Sequence, residues 1–208
     1  MKKFSITKLE SARQNPIAFA KSLKPGATDS SSFFGRSQFI RWQDAVNEYH
    51  KTNDFSEAVS YLEKSFSHYA SNSKNIRSLE NYLFSLDAYV TALIKNGNIF
   101  LKKESVKIVL NSKSMITGRV PLSFMNNKGG FSLYFFSKLS GGWESELRFP
   151  IIQSYFAEET FGTALDMVEV GVFSIQDNIF LEKTYSQSDI LDAKIELKKI
   201  GKAIYRIL

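Results

Sequence analysis

Met115 to Ala157 reads MITGRVPLSFMNNKGGFSLYFFSKLSGGWESELRFPIIQSYFA. Its order is extended run, Gly turn, extended run, Gly turn, helix. Met115 to Asn126 has the composition of a strand, and Asn127-Lys128-Gly129-Gly130 reads as a hairpin turn, because glycine accepts positive φ without steric cost. Phe131 to Leu139 is apolar at successive positions, so both of its faces are buried and it is a central strand. Gly141-Gly142 ends that strand. A helix from about Glu144 to Thr160 follows, with a kink expected at Pro150.

The same period of two extends to both sides. Val106, Ile108 and Leu110 mark a strand upstream; Met167 to Ile175 and Ile179 to Tyr185, joined by the Gln176-Asp177-Asn178 turn, mark two downstream. The last helix is capped by Ser186 with Asp189 and buries Ala193, Leu197, Ile200, Ile204 and Leu208. Upstream of Gly97 the period is helical. Phe39, Trp42, Val46 and Tyr49 share one face. Phe55, Ala58, Leu62 and Phe66 share another, behind an Asp54–Glu57 capping box. Ile76, Leu79, Leu83, Leu86, Val90 and Leu93 line a third helix, stopped by Asn96-Gly97. Residues 4 to 23 form two short helices divided at Asn15-Pro16, with Pro25-Gly26 as a stop and a polar loop over residues 26 to 35. The fold class is α+β: N-terminal helices, then an αβββαβ-type core with a mixed sheet. It forms a single domain over 1–208, in which helices 37–97 pack on or beside the sheet of 98–208.

The chain has 208 residues, of which 43% are hydrophobic, enough for one sizeable core. Eighteen phenylalanines supply much of that core, and a net charge of +6 mildly favours an anionic partner. The absence of cysteine excludes disulfides, thiolate metal sites and a cysteine nucleophile. No stretch approaches the roughly 18 apolar residues of a membrane span, and Met1 to Gln14 lacks the apolar run of a secretory signal. A cytoplasmic protein without membrane contact is expected.

Four stretches together resemble the PD-(D/E)XK nuclease superfamily in its RecB-like branch. SITKLESARQNPIAFAKSL is similar to its opening helical motif, and FGRSQFIRWQDAVNEYH to the helix that follows. ITGRVPLSF is similar to the strand that normally reads Gly-Arg-hydrophobic-Asp, and ELRFPIIQSYFAEE to the helix carrying a Gln and a Tyr, here Gln153 and Tyr155. The resemblance implies a restriction-endonuclease-like core. It also implies a divalent metal held by one acid after the Gly-Arg strand and by an acid-x-Lys on the next. Here those positions are Pro121, after Gly118-Arg119-Val120, and Phe136, in Phe136-Ser137-Lys138. Lys138 keeps the lysine position, but neither Pro nor Phe offers the hard oxygen that Mg²⁺ takes. Relocated acids would be Glu144 and Glu146, or Glu48. The ordinary reading of the first two is a pair of acids in a helix first turn.

Other constellations are weaker. His50 and His68 match no zinc spacing, Asp166 and Glu169 read as a turn acid and an outward strand residue, and no P-loop or dinucleotide fingerprint occurs. NDFSEAVSYLEKSF resembles a single tetratricopeptide helix, too little for a repeat array. On the last helix Lys194, Lys198, Lys202 and Arg206 fall on one face, a spacing suited to phosphates or to a solvated surface. Arg119, Lys128 and Lys138 add cations at strand ends. The expectation is a catalytically inactive nuclease-fold protein without a cofactor. It would act as a non-enzymatic subunit of a protein complex in bacterial nucleic-acid processing or phage defence, binding a protein partner and also nucleic acid. The alternatives are an active Mg²⁺-dependent nuclease using Lys138, Glu144 and Glu146, and a plain α+β protein-interaction module.

Overall fold

The computed structural model describes residues 1–24 and 37–208, so the Pro25-Gly26 stop and the loop of residues 26 to 35 lie outside the described residues. The chain is α+β with mixed sheets. It opens on a strand that local sequence does not announce, β1 (Lys2–Ser5), followed by a 3-10 turn over Ile6–Lys8. Helices α1 (Leu9–Gln14) and α2 (Pro16–Ser22) follow. The Asn15 side chain accepts from the Ala18 amide at 3.0 Å, and Pro16 takes the first helical position, where a missing N–H costs nothing.

Helices α3 (Gln38–Thr52), α4 (Phe55–Phe66) and α5 (Ser73–Asn96) form the helical region. Asn53 and Gly97 close α3 and α5 in the left-handed conformation, at φ 55° and 63°. The capping box expected at Asp54 is not formed. The Asp54 carboxylate accepts from the Ser56 amide and hydroxyl at 2.8 and 2.7 Å, while its own amide donates to Thr52 rather than to Glu57.

One mixed sheet was expected, and the structure has two. β1, β3 (Glu104–Asn111) and β4 (Ser114–Val120) form a three-stranded sheet in the order β1-β4-β3, with β1 parallel to β4. β2 (Ile99–Phe100), β5 (Leu122–Met125), β6 (Phe131–Ser137), β7 (Val168–Ser174) and β8 (Ile179–Lys183) form a five-stranded sheet in that order, parallel only between β6 and β7. The single strand expected from Met115 to Asn126 breaks at Pro121. Val120 pairs with Glu104 in the first sheet and Leu122 with Tyr134 in the second, so the chain changes sheets at the one residue that cannot donate to a ladder.

The helix expected from Glu144 to Thr160 is also divided. Trp143–Ser145 is a 3-10 turn, α6 spans Arg148–Tyr155, and a π turn covers Phe156–Phe161. Pro150 is the third residue of α6, in the first turn, where amides have no intrahelical acceptor and a proline is accommodated. The π turn carries Phe161 onto Phe131, with the rings stacked at 3.9 Å. The last helix, α7 (Gln187–Ile207), begins with the expected capping box of Ser186 and Asp189.

The central strand β6 separates two cores. Leu133 and Phe135 face one that contains Ile6, Ile116, Phe149, Val170 and Ile200, covered by α1, α2, α6 and α7. Tyr134 and Phe136 face the other, built by α3–α5 around Trp42, Leu86, Tyr89 and Phe173. The helical region therefore packs on one face of the five-stranded sheet. Trp42 stacks on Phe173 at 5.7 Å and meets Phe136 and Tyr89 edge-on.

In β7, Gly171 lies between Tyr134 on β6 and Glu182 on β8 in the strand register, and the Tyr134 hydroxyl donates to the Glu182 carboxylate across it. A Cβ built on Gly171 would stand 1.9 Å from the Leu181 carbonyl oxygen, whereas one on Gly141 meets nothing within 4 Å. Gly171→Ala is expected to destabilise the fold by about 3 kcal/mol, and Gly141→Ala by no more than about 0.5. Urea unfolding of both variants checks this.

Candidate functional site

A groove lined by cations and no acid lies where α7 crosses the turn between β3 and β4. Gly201 is buried there, and a Cβ on it would stand 3.4 Å from the Leu110 carbonyl oxygen, so the helix lies close to the strand. Asn111 locks the two together. Its amide donates to the Gly201 carbonyl at 2.8 Å, and its carbonyl oxygen accepts from the Lys113 and Ser114 amides at 2.8 and 2.9 Å. The turn thereby carries Lys113 to the helix, with its ammonium 4.5 Å from the centre of the Tyr205 ring. The resulting groove of about 380 Å³ is lined by Leu110, Asn111, Lys198, Gly201, Lys202, Tyr205 and Arg206, with no acid among them.

This groove brings together three of the seven cations singled out in the sequence. Lys198, Lys202 and Arg206 line it and are exposed. Lys194 lies one turn earlier and is held by Glu158, at 2.8 and 3.2 Å. Lys128 bonds Glu169 at 2.7 Å and lies 3.8 Å from Glu182, and these acids raise the pKa of its ammonium. Arg119 is exposed on β4, in register with Ser105. Lys138 is exposed just past β6, over the Phe39 ring at 5.4 Å. Lys113, which no sequence motif marks, reaches Tyr205 beside the groove because Asn111 shapes its turn.

The positions that resemble nuclease metal ligands are occupied otherwise. Pro121 is the crossing point between the sheets, and Phe136 packs against Trp42 at 5.2 Å. Glu146 is partly buried and paired with Arg148 at 2.7 Å. Burial raises the Glu146 pKa, more than the Arg148 charge lowers it. Arg148 is itself flanked by the Phe135 and Phe149 rings at 4.7 and 4.8 Å. The Glu144 side chain is exposed, and its backbone carbonyl accepts from the Tyr185 hydroxyl. Glu48 pairs with Lys51 at 3.0 Å. Among the described residues no three His, Cys, Asp or Glu side chains stand close enough together to hold an ion.

Gln153 is fully buried and acts as a clamp. Its amide donates to the Leu165 and Tyr185 carbonyls at 2.9 and 3.1 Å, and its oxygen accepts from the Tyr185 amide at 2.7 Å. It ties α6 to the segment before α7. Glu169 is less exposed than an outward strand residue would be, because Asn126 and Ser132 bond its second oxygen at 3.3 and 3.1 Å.

A second concavity, of about 540 Å³, opens between the C-terminal ends of α3 and α5 and strand β2. His50 forms part of its wall, stacked on Phe100 at 3.9 Å and hydrogen-bonded to the buried Tyr89 hydroxyl at 2.6 Å. Burial, assisted by the nearby Lys103 charge, lowers the His50 pKa to about 4.

No protein-family model and no curated protein matches the chain. Among solved structures it is similar to one described as "Crystal structure of SSO0001", at 9% identity and a TM-score of 0.31, over 93% of this chain and 86% of that one. A likeness this distant does not bear on activity.

His50 ionises near pH 6.5 in an unfolded chain but only near 4 when folded. Its neutral form therefore contributes stability that is fully present above about pH 6.5 and is lost as the pH falls towards 4, because the unfolded state then binds the extra proton. Urea unfolding is expected to show about 1–2 kcal/mol less stability at pH 5 than at pH 7 from this group. His50→Gln should remove that component.

Proposed function

We propose that the chain is a catalytically inactive nuclease-fold protein, a non-enzymatic subunit of a multi-protein complex that holds nucleic acid through the α7 groove. The observation that carries this reading is the meeting of Lys198, Lys202 and Arg206 around a concave surface whose lining has no acid, with Lys113 against Tyr205 at its side. Successive cations four residues apart on a helix rise about 6 Å along its axis. Lys198 to Arg206 thus spans about 12 Å, the length of three to four phosphates of one strand. Tyr205, 45% exposed beside Lys113, offers a ring on which a base can stack.

The catalytic half of a nuclease has no counterpart in this proposal. A metal-dependent nuclease uses carboxylates to hold the cation that stabilises charge developing on the phosphate, whereas the corresponding positions here serve packing and the change of sheets. The setting proposed is bacterial nucleic-acid processing or phage defence.

Binding of a fluorescent 20-nucleotide DNA or RNA, single- or double-stranded, should weaken steeply between 50 and 200 mM salt. A log–log slope of about −3 is expected from three to four phosphate contacts. Lys198→Ala/Lys202→Ala/Arg206→Ala should lower affinity by at least tenfold and flatten the slope, while Lys194→Ala should change it less than twofold. Affinity that is flat across this salt range would overturn phosphate recognition. Mg²⁺- or Mn²⁺-dependent cleavage that Lys138→Ala abolishes would overturn the inactive reading.

A further inference from the structure

Strand β2 ends the five-stranded sheet, and among the described residues no strand pairs with its outer side. The Leu101 amide donates inward to the Ser123 carbonyl at 2.9 Å. In an antiparallel ladder the backbone groups alternate in direction, so the Phe100 N–H and C=O point outward, away from β5. Natural edge strands are usually blunted by charge, proline or a covering element. The opposite edge of this sheet follows that pattern, since β8 ends in Glu182 and Lys183. The β2 edge instead exposes apolar side chains: Ile99 is 56% exposed, Leu101 40%, and Ile94 on the adjoining end of α5 70%. The concavity walled by His50 and Phe100 opens directly beside them.

Lysines dominate the charge around this edge. Residues 95 to 103 read KNGNIFLKK, with three lysines and no acid, and Lys95, Lys102 and Lys103 are all exposed. Lys102 has Glu104 at 3.6 Å, which leaves Lys95 and Lys103 as the dominant charges. His50 adds none, since it stays neutral above about pH 4. Two copies of this chain pairing edge to edge would bring both lysine sets together, an arrangement that like-charge repulsion opposes.

We propose that the β2 edge and the adjoining His50 concavity form a docking site for an extended segment of a second protein. The segment would alternate acidic and apolar residues, add as a sixth strand beside Phe100, and place one apolar side chain in the concavity. Main-chain bonds to an open edge supply affinity in this mode of recognition, and pockets for alternate side chains supply specificity. The proposal rests on the reading of the chain as a subunit of a complex, and it names the surface and the chemistry of the partner.

The test is selection from a random 12-residue peptide library displayed on phage, against the whole chain. Enriched peptides should alternate Asp or Glu with Leu, Ile or Phe. As synthetic peptides they should slow hydrogen exchange of the Phe100 amide at least tenfold while leaving β8 unchanged. Ile99→Thr/Leu101→Thr should weaken them at least tenfold. Lys95→Glu/Lys103→Glu should invert the preference towards basic peptides. All four substituted side chains are exposed, so both variants are expected to keep the wild-type urea midpoint and the wild-type affinity for DNA. The proposal is overturned by an absence of enrichment, by peptides without the acidic–apolar alternation, or by binding that either variant leaves intact. It is overturned equally by exchange protection at another edge. DNA binding on the same samples reports separately on the α7 groove, so failure of one surface is distinguishable from failure of the other.

Discussion

Strand β6 must satisfy two hydrophobic cores at once, and the rest of the architecture answers to that. Because side chains alternate along a strand, Leu133 and Phe135 commit one face while Tyr134 and Phe136 commit the other. A shift of one residue in register would exchange the two sets and place the Tyr134 hydroxyl against aliphatic side chains with no acceptor. The register is held on one side by the hairpin to β5 and on the other by parallel pairing with β7. Gly171 in β7 leaves the gap across which Tyr134 reaches Glu182. The helices on each face follow from which apolar set they cover.

The two positions that resemble nuclease metal ligands both serve the fold itself. At the two places where a nuclease of the resembling family carries metal-binding acids, this chain carries a residue that redirects the backbone and one that fills a core. An acid in place of Phe136 would set a partly buried carboxylate against the Trp42 and Tyr89 rings, a costly change in an aromatic cluster. The packing of α3–α5 on the sheet and a metal ligand at that position are therefore alternatives, and the packing is what the structure has.

Most of the helices were legible in the sequence because their signals are local, whereas the stretch from Glu144 to Thr160, expected as one helix, is divided into three helical segments of different kind. The stripes on α3, α4, α5 and α7, the Asn15-Pro16 divide and the Ser186 cap all lie within a few residues of the backbone they control. The sheets were legible in part. A run of alternating residues marks a strand without naming its neighbours, so the pairing of Lys2–Ser5 with Ser114–Thr117, across more than half the chain, left no local mark. Pro121 signalled an irregular point, but only the partners of Val120 and Leu122 show that the point divides two sheets. The same limit applied to the site. The spacing of Lys198, Lys202 and Arg206 was visible. The capture of Lys194 by Glu158 and of Lys128 by Glu169 depends on residues dozens of positions away, and the arrival of Lys113 depends on how Asn111 folds its turn.

The double core also has a consequence for the order in which the protein is made. Helices α3–α5 draw on neighbouring residues and can form soon after they leave the ribosome, since local contacts assemble fastest. Their buried stripe, with Trp42, Leu86 and Tyr89, is covered by a sheet whose central strand begins only at Phe131 and whose pairing with β7 needs Val168 onward. The nascent chain therefore carries an uncovered aromatic surface through the synthesis of some seventy residues after α5. At translation rates of roughly 5–20 residues per second this lasts several seconds, an interval in which a chaperone or a co-translated partner has access to a face that the finished molecule hides.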